Sequence, residues 1–242
     1  MTLLRDHDLA RAFDRASHTD NRPTALNSGY RTDLRAWARR VWLHDDGAGL
    51  HVLGLGCGMG AFARALMRAA PRAWTTVVEA SSGMLRHALA KPWPARVSQH
   101  LTAEEVATIG ERPFDAVSAG YLFQNVTDPD GVLRTVRTLL RPGGRLVVHE
   151  SSLSGSATHR ALWTAVRRGM IVPAGTLMGD RPPYRHLWSS VLDFDTAPAF
   201  TTRLADAGFT DVHAAPVAGW RTGTVHTLLA RDGSAAATEH AR

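Results

Sequence analysis

The run Val52-Leu53-Gly54-Leu55-Gly56-Cys57-Gly58-Met59-Gly60 constrains this chain more than any other stretch. Apolar residues from His51 to Leu55 predict a buried parallel strand, and Phe62, Ala65, Leu66 and Ala69 set a helical period from Ala61 to Ala70. Between them, glycines at alternate positions let the backbone turn tightly and let a ligand lie against it, because no Cβ stands in the way. Gly56, Gly58 and Ala61 also fit the spacing of a dinucleotide site, so the turn alone leaves the ligand open.

The segments that follow repeat one unit. Trp74 to Glu79 reads as a second strand ending in an acid, where a parallel sheet offers a carboxylate to ribose hydroxyls. Ser81 is placed to cap the next helix, with Met84 and Leu85 opening its apolar side. Ala95 to His100 and Phe114 to Gly120 read as the third and fourth strands, and Arg141 to Glu150 as a helix end, a turn and a fifth strand. Asp128 as cap and Pro129 as first helical residue start a helix whose Val132, Leu133, Val136, Leu139 and Leu140 share one apolar face. Strands alternating with helices from His51 to Glu150 predict an α/β fold, a doubly wound parallel sheet covered on both faces. Leu9 to Ser17 and Thr32 to Leu43 read as helices over the mouth of the site, and Thr196 to Ala207 as the last helix.

Composition sets outer limits. The 242 residues suffice for one α/β domain, and no Pro/Ser-rich linker marks a second. The expected organisation is one domain over 1–232, with a helical cover at 1–44, a cofactor-binding half at 45–150, an acceptor-side insertion and terminal hairpin at 151–232, and a fraying tail at 233–242. Apolar runs fall far short of the roughly 20 residues a membrane span needs. Arg5, Asp6, His7 and Asp8 interrupt any signal segment after Met1. The expectation is therefore a cytoplasmic protein with at most peripheral membrane contact, and a homodimer is left open. The net charge of +6 is almost wholly arginine, Lys91 being the one lysine, and the arginines are scattered rather than gathered into a stripe with aromatics. That pattern argues against nucleic acid. The histidines show no paired ligand spacing and Cys57 is the one cysteine, so neither a metal site nor an intrachain disulfide is expected.

With these elements in place, the chain resembles a class I S-adenosylmethionine (SAM)-dependent methyltransferase. Tyr121-Leu122-Phe123-Gln124-Asn125-Val126-Thr127-Asp128, the helix after it and the run Leu140 to Ser152 narrow the resemblance to the ubiquinone/menaquinone biosynthesis C-methyltransferase family. Phe13 to Ser17, Leu26 to Gly29 and Trp37 are spaced much as in that family, and Ala207 to Val212 resembles its helix-to-strand step before the terminal hairpin. The resemblance implies a seven-stranded, mostly parallel Rossmann-like sheet with N-terminal helices and an insertion before the last helix lying over the acceptor as a lid. It implies SAM as donor, S-adenosylhomocysteine as product, and a carbon or oxygen of an aromatic or quinol-like small molecule as acceptor. Residue by residue, it assigns the region of Gly54, Gly56, Cys57, Gly58 and Gly60 to the methionine part of SAM. Glu79 with Ala80 falls to the ribose, Met84, Thr102, Ala103 and Glu104 to the adenine, and Gly120 and Tyr121 to the transferred methyl.

The departures are specific. Gly54 stands where the family carries an acid beneath the methionine part, and loss of such a charge-assisted contact is worth about 1.5–3 kcal/mol, roughly tenfold or more in affinity. After the third strand, Thr102 or Glu104 is left to take the place of the family's acid for the adenine amino group, and Gln124 replaces the arginine that often precedes Asn125. A sulfonium methyl is already activated, so the chemistry asks mainly for proximity and orientation. A quinol carbon acceptor asks in addition for removal of a phenolic proton.

Asn125 matches a motif residue suited to orient a hydroxyl or a water, and equally a turn residue before Asp128. His149 in the fifth strand and His186 titrate in the useful range. His186 lies in the aromatic segment Pro182 to Trp188, where Tyr184 and Trp188, like Phe123 and Gln124 elsewhere, are candidates to contact the acceptor. His226 reads as a strand residue with one wet face. Ile171 to Gly175 with Leu177 and Met178 reads either as buried lid or as a surface for a prenyl tail or membrane. Two other functions stay open at this level. One is a SAM-fold protein that transfers no methyl, a cyclase or cofactor-binding protein, for which Gly54 speaks. The other is an NAD-dependent oxidoreductase, whose Tyr-and-Lys pair is hard to assemble with one lysine.

Overall fold

The computed structural model describes residues 30–41, 43–100, 113–166, 169, 190–219 and 222–234. Its elements are α1 (Tyr30–Val41), β1 (His51–Leu55), α2 (Ala61–Ala69), β2 (Trp74–Val78), α3 (Ser82–Leu89), β3 (Val97–His100), β4 (Phe114–Gly120), α4 (Pro129–Leu139), β5 (Leu140–Glu150), α5 (Ala157–Val166), α6 (Ala197–Asp206), β6 (Phe209–Pro216) and β7 (His226–Asp232). One seven-stranded sheet runs in the order β3-β2-β1-β4-β5-β7-β6. The first five strands are parallel, and β7 enters antiparallel between β5 and β6.

The strand period of two divides the core. Leu53, Leu55, Val117, Ala119, Leu146 and Val148 face one way, onto Val132, Leu133 and Val136 of α4 and Phe200 and Leu204 of α6. Val52, Ala116 and Val147 face the other, onto Phe62, Ala65 and Leu66 of α2 and Leu34, Trp37, Ala38 and Val41 of α1. Helices start where their caps stand. The Ser81 hydroxyl accepts from Met84 N at 3.1 Å, and the Asp128 carboxylate accepts from Gly131 N at 2.8 Å with Pro129 at the first turn.

Two expectations need correction. Residues 141–150 do not divide into a helix end, a turn and a strand. β5 runs continuously from Leu140, with a register irregularity between Phe114 and Ala116 of its neighbour β4 that accommodates Pro142, Gly143 and Gly144. His226 has no wet face. Both faces of β7 are covered, so the ring is buried and bonded to the Ser152 carbonyl at 2.7 Å, and burial lowers its pKa.

Candidate active site

The carboxyl ends of β1, β2, β4 and β5 converge on one edge of the sheet. At β1, Gly56, Gly58 and Gly60 all carry positive φ, at 71°, 54° and 94°. Their surroundings differ. A Cβ on Gly60 would stand 2.9 Å from the Trp93 ring and one on Gly56 3.4 Å from Leu122, whereas one on Gly58 would meet nothing within 4 Å. Gly58 is thus the open floor of the turn, and Gly60 is a packing glycine. The Lys91 ammonium donates to the Met59 carbonyl and fixes the turn from outside. Cys57 packs with Ala63 and Val77, and burial followed by the nearby charge of Glu79 holds its thiol well above the ordinary range, protonated and inert.

Glu79 ends β2 beside this turn. One carboxylate oxygen accepts from Gly58 N at 2.7 Å and the other from Ser81 N at 2.9 Å, so the acid locks the glycine turn to the start of α3. Ala80 and Met84 lie half-buried on the next turn. Gly54, by contrast, is buried beneath a ring: a Cβ there would stand 3.1 Å from Phe62 Cε1 and 3.1 Å from Val77 Cγ1. The same ring lies 2.6 Å from where a Cβ on Gly120 would be, and Trp37 stacks on it with centroids 4.2 Å apart.

The third part of the edge is the turn after β4, Tyr121 to Asn125. Glu150, fully buried at the end of β5, holds it. Its Oε1 accepts from Leu122 N at 2.5 Å and Phe123 N at 2.7 Å, while Oε2 has no partner among the described residues. Burial pushes this carboxyl up to about 8, against the opposing pull of those backbone N–H groups. Asn125 donates its amide N–H to the Tyr121 carbonyl at 2.9 Å, which fixes the amide and leaves Oδ1 a buried acceptor without a donor among the described residues. Gln124 Oε1 likewise has no donor among them.

Phe123, expected against the acceptor, is instead a core residue, 1% exposed and edge-on to Phe200 at 5.2 Å. His149 is fully buried, with its Nε2 3.3 Å from the Tyr121 hydroxyl and its Nδ1 3.0 Å from the Thr227 hydroxyl. The structure therefore gathers the glycine turn, Glu79, Gly120, Tyr121, Gln124, Asn125 and His149 at one sheet edge. Thr102, Ala103, Glu104, Tyr184, His186 and Trp188, as well as Ile171 to Met178, lie outside the described residues. Sequence reading missed Phe62, Glu150 and Thr227. Only Glu150 left a signal, as a charge at the end of an apolar strand.

A parallel sheet in this order, with a glycine turn after β1 and an acid closing β2, has the class I methyltransferase architecture. A methyltransferase domain family model matches residues 3–214. The chain is 30% identical over 170 residues to the ubiquinone/menaquinone biosynthesis C-methyltransferase UbiE of Desulfotalea psychrophila, covering 70% of this chain and 69% of that protein. Among solved structures, a chain from the complex between the Haloferax volcanii Trm112 methyltransferase activator and the putative methyltransferase matches with a TM-score of 0.65 at 14% identity, over 93% of this chain and 97% of that one. Human N-acetylserotonin methyltransferase in complex with SAM matches with a TM-score of 0.55 at 16% identity over 82% of this chain, which spans about half, 51%, of the human one. The protein belongs to the methyltransferase domain family. It is a SAM-dependent methyltransferase, which settles the cofactor that the glycines alone left open and removes the nicotinamide alternative.

Proposed function

We propose that the enzyme methylates a carbon or oxygen of a phenolic small molecule, aromatic or quinol-like. The observation that carries this reading is Asn125 Oδ1. It is a buried oxygen with no donor among the described residues, on the turn whose Leu122 borders Gly56, and its orientation is fixed because the amide N–H is committed to the Tyr121 carbonyl. A buried acceptor left unmatched costs about 1–3 kcal/mol, which a hydroxyl donor on a bound acceptor would recover. Gln124 Oε1 asks for the same kind of partner. The 30% identity to a protein named for quinone C-methylation points in the same direction.

The residues fit the donor. Gly58 leaves an open floor that a Cβ would fill, and the Glu79 carboxylate is fixed beside it by Gly58 N and Ser81 N. Gly56 and Gly58 would hold the methionine part, with Cys57 and Gly60 packing the turn from the protein side, Glu79 and Ala80 the ribose, Met84 the adenine, and Gly120 and Tyr121 would border the reacting methyl. Bound SAM supplies a methyl group already activated by its sulfonium. The chain's own work is to orient the acceptor hydroxyl on Asn125, exclude water and remove a proton. Among the described residues no helix is long and apolar enough to cross a membrane.

The test is incubation with methyl-labelled SAM and a panel of short-chain hydroquinones, catechols and non-phenolic amines. Label is expected in the hydroquinones or catechols. Label in the amines alone would contradict the reading.

A further inference from the structure

Tyr121, His149 and Thr227 form a line across the face of the sheet that α1 and α2 cover. Gly120 pairs in register with His149, and His149 with Thr227, so His149 and Thr227 project to one side. Tyr121 comes next after Gly120 with φ 55°, and its ring meets His149 edge-on, centroids 5.2 Å apart and planes at 85°. A left-handed backbone at a residue with a large side chain costs roughly 1–2 kcal/mol and persists where the surroundings impose it. Here it aims the hydroxyl at His149 Nε2, 3.3 Å away.

The Thr227 hydroxyl lies 3.0 Å from Nδ1; in the tautomer that carries Nδ1–H it accepts that proton, and Nε2 then accepts from the tyrosine O–H. His149 is fully buried, so an acceptor molecule cannot touch it, whereas Tyr121 is half-buried at the mouth of the turn.

We propose that Tyr121 is a catalytic residue. Its hydroxyl takes the proton of the acceptor's O–H while passing its own to His149 Nε2, and Thr227 positions the imidazole by holding Nδ1–H. The proposal rests on the phenolic-acceptor reading above. The step balances for either product. On an oxygen acceptor, the proton that the methyl replaces is the one taken up. On a carbon acceptor, the ring proton lost on rearomatisation returns to the phenolate oxygen. In both, the electron pair of the broken C–S bond stays on sulfur, and one proton is left on His149 to leave through Tyr121.

Two acceptors separate this role from a structural one: a short-chain 1,4-hydroquinone, and a polyfluorinated phenol already ionised at the assay pH. Tyr121→Phe and His149→Gln are each expected to lower kcat on the hydroquinone about 100-fold, and on the ionised phenol less than about fivefold. Binding of S-adenosylhomocysteine by calorimetry should stay within about threefold in His149→Gln, since that buried side chain lies behind Tyr121 and away from the glycine turn. Thr227→Val should reduce turnover in the same pattern and by less. Equal losses on both phenols, or no loss on the hydroquinone, would overturn the proposal.

A second readout needs no acceptor. Nitrogen NMR of histidine-labelled protein with S-adenosylhomocysteine should show His149 with a protonated Nδ1 and a bare Nε2 whose resonance shifts in Tyr121→Phe. A protonated Nε2 would overturn the relay even if phenols are methylated. Failure of the underlying reading looks different: the wild-type enzyme would methylate neither phenol, and the proposal would fall with it.

Discussion

The ring of Phe62 occupies the space that a side chain on Gly54 would need, its Cε1 lying 3.1 Å from the position of the missing Cβ. The family's acid at this place is therefore replaced by a packed pair, a glycine in β1 and an aromatic ring in α2 that is itself stacked on Trp37. Gly54 thus leaves an apolar wall at this edge of the sheet, and Glu79 is the carboxylate beside the glycine turn.

The pairing predicts coupling between the two positions. Gly54→Asp alone overpacks the site and buries an unmatched charge, at a cost of about 2–3 kcal/mol. Phe62→Ala alone opens a cavity and costs about 3–5 kcal/mol. In urea unfolding the double variant should be more stable than the sum of the two losses by about 1 kcal/mol or more, because the new side chain fills the old cavity. Strict additivity would show that Phe62 and Gly54 do not share that space.

Two glycines of the turn should separate stability from binding. Gly60→Ala drives a Cβ to 2.9 Å from the Trp93 ring at φ 94° and should lower the unfolding midpoint clearly. Gly58→Ala meets no neighbour, so it costs only the left-handed backbone penalty of about 1–2 kcal/mol, yet it should abolish detectable S-adenosylhomocysteine binding. Equal loss of stability in both variants, with binding kept in Gly58→Ala, would contradict the open floor at Gly58.

Glu150 gives a pH dependence of defined sign. Its carboxyl is raised from 4.5 to about 8 by burial, so between those values the folded state holds a proton that the unfolded chain has released. Stability contributed by this group is full below about pH 4.5, falls as pH rises through that window and levels off above about 8. Glu150→Gln still offers an oxygen to Leu122 N and Phe123 N, so urea midpoints of the variant should decline less than wild type between pH 5 and 8. Parallel profiles would rule the group out.

Local signals were legible in the sequence and convergent ones were not. Ser81 and Asp128 announce their caps because a cap is decided within three residues, and β4 is bounded as its apolar run predicts. Phe123 misleads because it stands in the motif beside Gln124 and Asn125, while the short 3₁₀ turn Phe123–Asn125 sends its ring down onto Phe200. The contacts of Glu150 with Leu122 and Phe123 join two strand ends, and the fit of Gly60 to Trp93 joins two loops. No periodicity in one segment encodes them. His226 differs from its reading because cover on the second face of β7 comes from elements distant in sequence. The glycine turn and Glu79 were thus largely readable, since they lie at strand ends. The Tyr121–His149–Thr227 line required register.

The proposed site makes the glycine turn and Glu79 jointly responsible for holding the nucleoside donor at the carboxyl edge of the sheet. Titration calorimetry of the wild-type chain and of Glu79→Ala with SAM and with S-adenosylhomocysteine tests this. The wild type is expected to bind both ligands and the variant to lose about tenfold or more, from removal of a charge-assisted partner together with the anchor of Gly58 N. Absence of heat with either ligand, or equal affinity in Glu79→Ala, would contradict it.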